Sequence, residues 1–150
     1  MNNSIKIIST NKKASFQYTL LESFEAGISL KGSEVKAIRE NKVNIKESYI
    51  VLKKNEIYII GMHIGEYSHS GYISHTPLRN RKLLLHKSEI SKIIKQIKDV
   101  GKTLIPTKIY FKNSNVKVKF CIAKGKKNWD KRIAKKEKDL KRDVDREMKR

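Results

Sequence analysis

The amino-acid sequence predicts a mainly β fold with added helices: a small closed antiparallel barrel followed by a basic tail. Three observations predict it. Most of residues 16–122 falls into short runs in which apolar and polar residues alternate, the period of a strand with one buried face. Helical spacing interrupts that period only at 33–40 and 88–101, and no repeat of fixed length runs through the chain. Residues 123–150 then replace alternation with lysine and arginine. The pattern amounts to five or six strands with about three helices. An OB-like barrel suits the length and charge, although alternation alone does not separate it from an SH3-like barrel.

Taken in order, residues 16–32 form the first strand, with Phe24, Ala26, Ile28 and Leu30 at period two. Gly27 inside that run marks a bulge or a close backbone approach. In 33–40, Ser33 can cap a short helix whose Val35 and Ile38 lie three apart. Residues 49–64 read as two strands about Lys54-Asn55. The second has Ile57 and Ile59 on one face and Tyr58, Ile60, Met62 and Ile64 on the other, which predicts a central strand. Residues 65–77 have no period and read as a long loop. From Ser88 to Gly101, Ile90, Ile93, Ile94, Ile97 and Val100 form one helical stripe, with Lys92, Lys95 and Lys98 on the outer face. Pro106 is expected to break the chain. Residues 107–123 form a hairpin about Asn113-Ser114-Asn115, in which Val116, Val118, Phe120 and Ile122 alternate with Lys117, Lys119 and Cys121.

Charge narrows the function. Thirty-five Lys and Arg against fifteen Asp and Glu give a formal net charge of +20, which favours a polyanionic partner, nucleic acid first. The single cysteine, Cys121, excludes an internal disulfide. No apolar run approaches a membrane span, and MNNSIKIISTNKK carries no signal-peptide core, so a cytoplasmic protein is expected.

Chemistry is sparse. His63, His69 and His75 are evenly spaced, but no cysteine or carboxylate stands beside them at ligand spacing, so no metal is expected. Cys121 alternates with core positions and reads as structural. Glu22, Glu25 and Glu34 have no diagnostic acid–base spacing, and no glycine-rich phosphate loop is present. The basic features are more telling. Lys117 and Lys119 share one exposed face, with Lys112 and, if the barrel closes as expected, Arg39 or Lys36. Tyr110, Phe111, Tyr72 and Tyr67 accompany them, the combination of cations and aromatics by which barrels hold looped RNA. Arg79 and Arg81 can present two planar forks to a phosphate-rich surface. Leu83, Leu84 and Leu85 cannot all face inward on one strand, since neighbours alternate; this puts Leu84 at a surface or helix junction, unless the segment is irregular and buries all three.

The tail gains order when wound as a helix. Trp129, Ile133, Leu140, Val144 and Met148 fall on one narrow face, Asp130 can cap the first turn, and Glu137–Lys141 and Asp145–Lys149 are favourable pairs. A helix from Asp130 to Arg150 would be roughly 30 Å long and marginal by itself. The tail is therefore expected to be disordered when free and helical when a polyanion holds it.

Four blocks carry a resemblance: FEAGISLKGSEVKAIRENKVNIKESY (24–49), HTPLRNRKLLLHKSEI (75–90), IYFKN (109–113) and AKGKKNWDKR (123–132). They resemble the small protein B family of SsrA-binding proteins, in order from about Asn11 to the end. The resemblance implies an OB-type barrel without enzymatic activity or cofactor. It implies binding to the tRNA-like domain of transfer-messenger RNA and delivery, with elongation factor Tu, to stalled ribosomes. The barrel would then lie near the decoding centre and the tail would become a helix in the empty mRNA channel. Asn11, Glu25, Leu84 and Lys117 match the family's RNA-binding positions. Gly125, Lys126 and Lys127 match the block ahead of the tail signature, which is Asp130, Lys131 and Arg132. Phe16 stands where the family usually has His near the decoding centre, and Trp129 where it more often has Tyr or His. A monomer is expected, with residues 1–10 as an extension, 11–122 as the barrel and 123–150 as the tail. The competing readings are a general RNA-binding or ribosome-associated protein, and an RNA-processing enzyme, for which the sequence offers no site.

Overall fold

A computed structural model describes residues 4–68, 75–98, 101–126, 132, 135, 136 and 138–142. In chain order its elements are β1 (Ile5–Thr10), α1 (Ala14–Gln17), β2 (Tyr18–Ile28), α2 (Gly32–Arg39), β3 (Val43–Asn44), β4 (Tyr49–Lys53), β5 (Glu56–Ile60), β6 (His63–Ile64), β7 (Arg81–Leu84), α3 (Lys87–Ile97), β8 (Lys102–Lys112) and β9 (Asn115–Gly125). The main sheet has the order β1-β8-β4-β5-β7-β2-β9, and β9 also pairs with β8. The succession from β8 through β4, β5, β7, β2 and β9 therefore returns to β8, and every pairing is antiparallel.

Alternation built this sheet. Ile57, Ile59, Leu83, Leu104, Ile109, Val118, Phe120 and Ile122 are buried in one cluster. Phe24 and Phe120 stack there with ring centroids 5.6 Å apart. Ile38 of α2 and Ile93 of α3 join the same core. β5 lies between β4 and β7, the central place expected of it. Its turn residues Lys54 and Asn55 both have positive φ, as do Asn113 and Ser114 between β8 and β9, the geometry that matches the twist of a tight hairpin.

Several expectations need correction. Residues 5–10 are not an extension: β1 pairs with β8 from Ile5↔Lys112 to Thr10↔Lys108. The sheet likewise continues to Gly125, three residues beyond the expected barrel end. Pro106 does not break the chain. It sits inside β8 at a register shift, where a missing N–H costs no ladder bond. β5 stops at Ile60 because Gly61 turns the chain at φ 78. A Cβ on Gly61 would lie 2.9 Å from the Glu47 carbonyl oxygen. Met62 and Ile64 are buried beyond that turn rather than along the strand. The N-caps of α2 and α3 are Lys31 and His86, not Ser33 and Ser88. Glu34 closes the first turn of α2 by accepting the Lys31 N–H at 2.7 Å, while Ser33 pairs with the His75 ring.

Candidate nucleic-acid interface

The site begins with a glycine. Gly27 of β2 pairs with Leu84 of β7 on one side and with Lys117 of β9 on the other. A Cβ at Gly27 would meet the Leu84 Cβ at 3.4 Å and the Lys117 Nζ at 3.8 Å. These are ordinary van der Waals distances, so the close approach expected at Gly27 does not demand a glycine, but the two pairings lay Leu84 beside Lys117. The bulge in β2 lies elsewhere, between Leu20 and Glu22. Leu84 is 51% exposed while Leu83 is 1% exposed, so the leucine triplet divides as strand alternation requires.

Glu25 lies two residues along β2, in register with Lys119. Its carboxylate accepts a hydrogen bond from the Tyr110 hydroxyl and one from Lys112 Nζ at 3.3 Å. The Tyr110 hydroxyl holds the Glu25 carboxyl below its ordinary range; partial burial opposes this and Lys112 and Lys117 reinforce it. Burial and the Glu25 carboxylate push the Tyr110 hydroxyl well above its usual value, so the pair is an ionised carboxylate and a neutral phenol. The acid thus orients one aromatic ring and one cation within a basic face.

The distribution of ion pairs sharpens this face. Lys112 is spent on Glu25, Lys82 on Glu56 at 3.0 Å and Lys92 on Glu22 at 2.7 Å. Lys108, Lys117 and Lys119 have no salt bridge among the described residues. Lys108 and Lys119 are register partners, and Lys117 is partnered with Tyr110. Three uncommitted ammonium groups with an exposed leucine and a fixed tyrosine suit phosphate contact more than catalysis. Lys108 was missed in the sequence, although its alternation with Tyr110 and Lys112 along β8 places it on this face.

Other candidates lie elsewhere. Arg81 is fully buried: it binds Glu34 through Nε, the Met62 carbonyl at 2.8 Å and the Pro77 carbonyl at 3.2 Å. Arg79 meets the other Glu34 oxygen at 2.6 Å. The two guanidinium groups grip a buried carboxylate and do not form a paired phosphate fork. Burial would raise the Glu34 carboxyl, but Arg79, the Lys31 N–H and Arg81 outweigh it and hold the group below its ordinary range. Asn11 is 8% exposed. Its N–H bonds the Thr107 carbonyl at 2.7 Å and its Nδ2 the Pro106 carbonyl at 3.2 Å, fixing the chain across the β8 bulge. Its Oδ1 has no hydrogen-bond partner among the described residues. Arg39 lines a different groove with Lys6 and Phe111, and Lys36 lies over the Tyr67 ring at 5.4 Å. Of the four aromatics, Tyr110 alone joins this face among the described residues; Tyr72 lies outside them. His75 engages Ser33 Oγ and the Ile64 carbonyl, each at 2.9 Å. His69 lies outside the described residues, among which no metal-binding cluster forms. Burial pushes the Cys121 thiol up, consistent with a structural cysteine.

The opposite end of β9 makes a second cluster. Ala14 of α1 packs on Ile105 and Ala123. Gly125 pairs with Tyr18, and Lys126 donates its N–H to the Gln17 carbonyl at 3.1 Å and its Nζ to the Ser15 carbonyl at 2.9 Å. Phe16, 37% exposed on α1, therefore stands where the tail leaves the sheet. Beyond it, Arg132, Lys135, Lys136 and Lys138–Arg142 are helical and exposed. Lys127, Trp129, Asp130 and Lys131 lie outside the described residues.

A family model described as SmpB protein matches residues 8–150. The chain belongs to the SmpB family. Among its relatives, an SsrA-binding protein of Persephonella marina is 46% identical over 145 residues, 97% of this chain and 95% of that protein. One from Gloeothece citriformis is 47% identical over 150 residues, covering 99% and 97%. A solved structure called "tmRNA-SmpB: a journey to the center of the bacterial ribosome" contains a chain 40% identical to this one. It matches with a TM-score of 0.66 over 80% of this chain and 85% of that one. Of the four positions singled out by the SmpB resemblance, Glu25, Leu84 and Lys117 meet on one face, whereas Asn11 is buried just past β1, bonded to the backbone of β8.

Proposed function

We propose that this SmpB-family chain is an RNA-binding adaptor of trans-translation and not an enzyme. In this reading it binds the tRNA-like domain of transfer-messenger RNA and, with elongation factor Tu, brings it to stalled ribosomes. It acts as a cytoplasmic monomer. The observation that carries the reading is the meeting of Glu25, Leu84 and the uncommitted Lys117 around Gly27. Lys117 and Lys119 contact phosphate, Leu84 packs on the RNA, and Glu25 orients Tyr110 and Lys112. The returning sequence of strand pairings supports an OB-type closed barrel as the scaffold.

The second cluster supports a division of labour. Phe16 and the tail root lie about eight residues along β9 from Lys117, roughly 26 Å at strand rise. A structured RNA can hold the Lys117 end while Phe16 reaches the decoding centre and Gly125, Lys126 and Lys127 lead the tail into the mRNA channel. There Asp130, Lys131 and Arg132 act, with Trp129 beginning the apolar stripe. Competition binding at physiological salt tests the reading. The full chain should prefer transfer-messenger RNA over bulk tRNA; equal affinity for both would reduce it to a general RNA-binding protein.

A further inference from the structure

The face that carries Lys117 continues across β8 onto β1, where it becomes apolar. Ile5 and Ile7 are 55% and 54% exposed, and their register partners on β8 are Lys112 and Tyr110. They line an open groove with Glu25, Lys108, Tyr110 and Lys119. Its isoleucines lie two residues apart on one strand, so both present to the same side. Its cationic wall is the Lys108–Lys119 register pair, uncommitted among the described residues.

We infer that this groove is a subsite for one unstacked nucleotide of the bound RNA, with its base on Ile5 and Ile7 and its phosphate at Lys108 and Lys119. The inference rests on the adaptor reading and adds to it a place outside the Glu25, Leu84 and Lys117 cluster. Charge complementarity selects this occupant. Glu25, the acid that lines the groove, is already bonded to Tyr110 and Lys112, which leaves two lysines seeking an anion beside an apolar floor. A nucleotide offers both an anion and an apolar face in one unit. The groove is also continuous with the proposed interface, since Lys119 is two residues from Lys117 on the same face of β9.

The test measures binding of the tRNA-like domain RNA to the full chain across a salt series. The double variant Ile5→Ser with Ile7→Ser should bind about tenfold more weakly with its salt dependence unchanged, because an apolar contact releases no counterions. Lys108→Ala should lower the slope of log affinity on log salt by about 0.9. Both isoleucines are exposed, so an unchanged melting temperature confirms folding. A photo-crosslinker at position 7 should attach to one nucleotide. If the double variant binds as tightly as the wild type while the wild type still prefers transfer-messenger RNA, the groove proposal fails and the adaptor reading stands. With ribosomes added, a crosslink from position 7 to ribosomal protein instead of RNA overturns the proposal as well. A wild type without that preference overturns the adaptor reading on which it rests.

Discussion

Among the described residues, Lys117 is set apart by the ion pair it lacks. Neighbouring lysines of comparable sequence context are committed to acids, as Lys112 is to Glu25 and Lys82 to Glu56, while Lys117 faces solvent between Gly27 and Tyr110. A phosphate that displaces water from an uncommitted ammonium does not first have to break an ion pair. Lys117→Ala should therefore weaken RNA binding and reduce the salt slope by about 0.9, read by titration at several ionic strengths; an unaltered slope would place Lys117 outside the contact. Glu25→Arg should weaken binding through geometry instead, because it releases both Tyr110 and Lys112, even though it adds positive charge. Tighter binding by Glu25→Arg would mean that charge alone governs this face.

At the scale of elements, Glu34 ties α2 to β7 and to the segment before it. It accepts from Arg79 and Arg81 and closes its own helix turn at Lys31. Removing one partner of such a buried pair leaves the other charge unmatched, at a cost of about 3–5 kcal/mol. Glu34→Gln should thus lower the melting temperature strongly without any RNA present. The pH dependence follows from the sign of the shift. The folded carboxyl titrates below its ordinary value, so its stabilisation is fully present above that value and is lost as pH falls through the folded one. Chemical denaturation from pH 6 down to 3 should show a shallower acid loss in Glu34→Gln than in the wild type; parallel curves would remove Glu34 from the acid limb. β7 also shows what its sequence contained unread. The alternation that turns Leu84 outward and Leu83 inward also turns Arg81 inward, and that parity was a stronger signal than the two closely spaced arginines.

For the whole molecule, β9 separates the two tasks proposed for it. Lys117 and Lys119 lie near its start, and Gly125 at its end hands the chain to α1 and the tail. Replacing Asp130, Lys131 and Arg132 together by alanine should leave affinity for the tRNA-like RNA unchanged and abolish tagging of stalled peptides in a reconstituted translation assay. Loss of RNA affinity equal to that of Lys117→Ala would collapse the two tasks into one. The +20 charge acts on both ends as a long-range attraction and does not by itself distinguish them.

Strand and helix periods were legible along the chain because burial imposes period two or 3.6 on residues close in sequence. The sequence alone determined the mainly β class, both hairpins, the α3 stripe, the basic surface and the family resemblance. Register, and therefore partnership, required the tertiary structure. Gly27 meets Leu84 and Lys117 across two different strand pairings, and Glu34 meets arginines 45 and 47 residues away. β3 and β6, at two residues each, are too short to display a period, and the pairing of β1 depends on a strand about a hundred residues later. Which lysines are spent on acids, which arginines are buried and where the tail root docks are decided by contacts between distant segments, and local alternation carries no information about those.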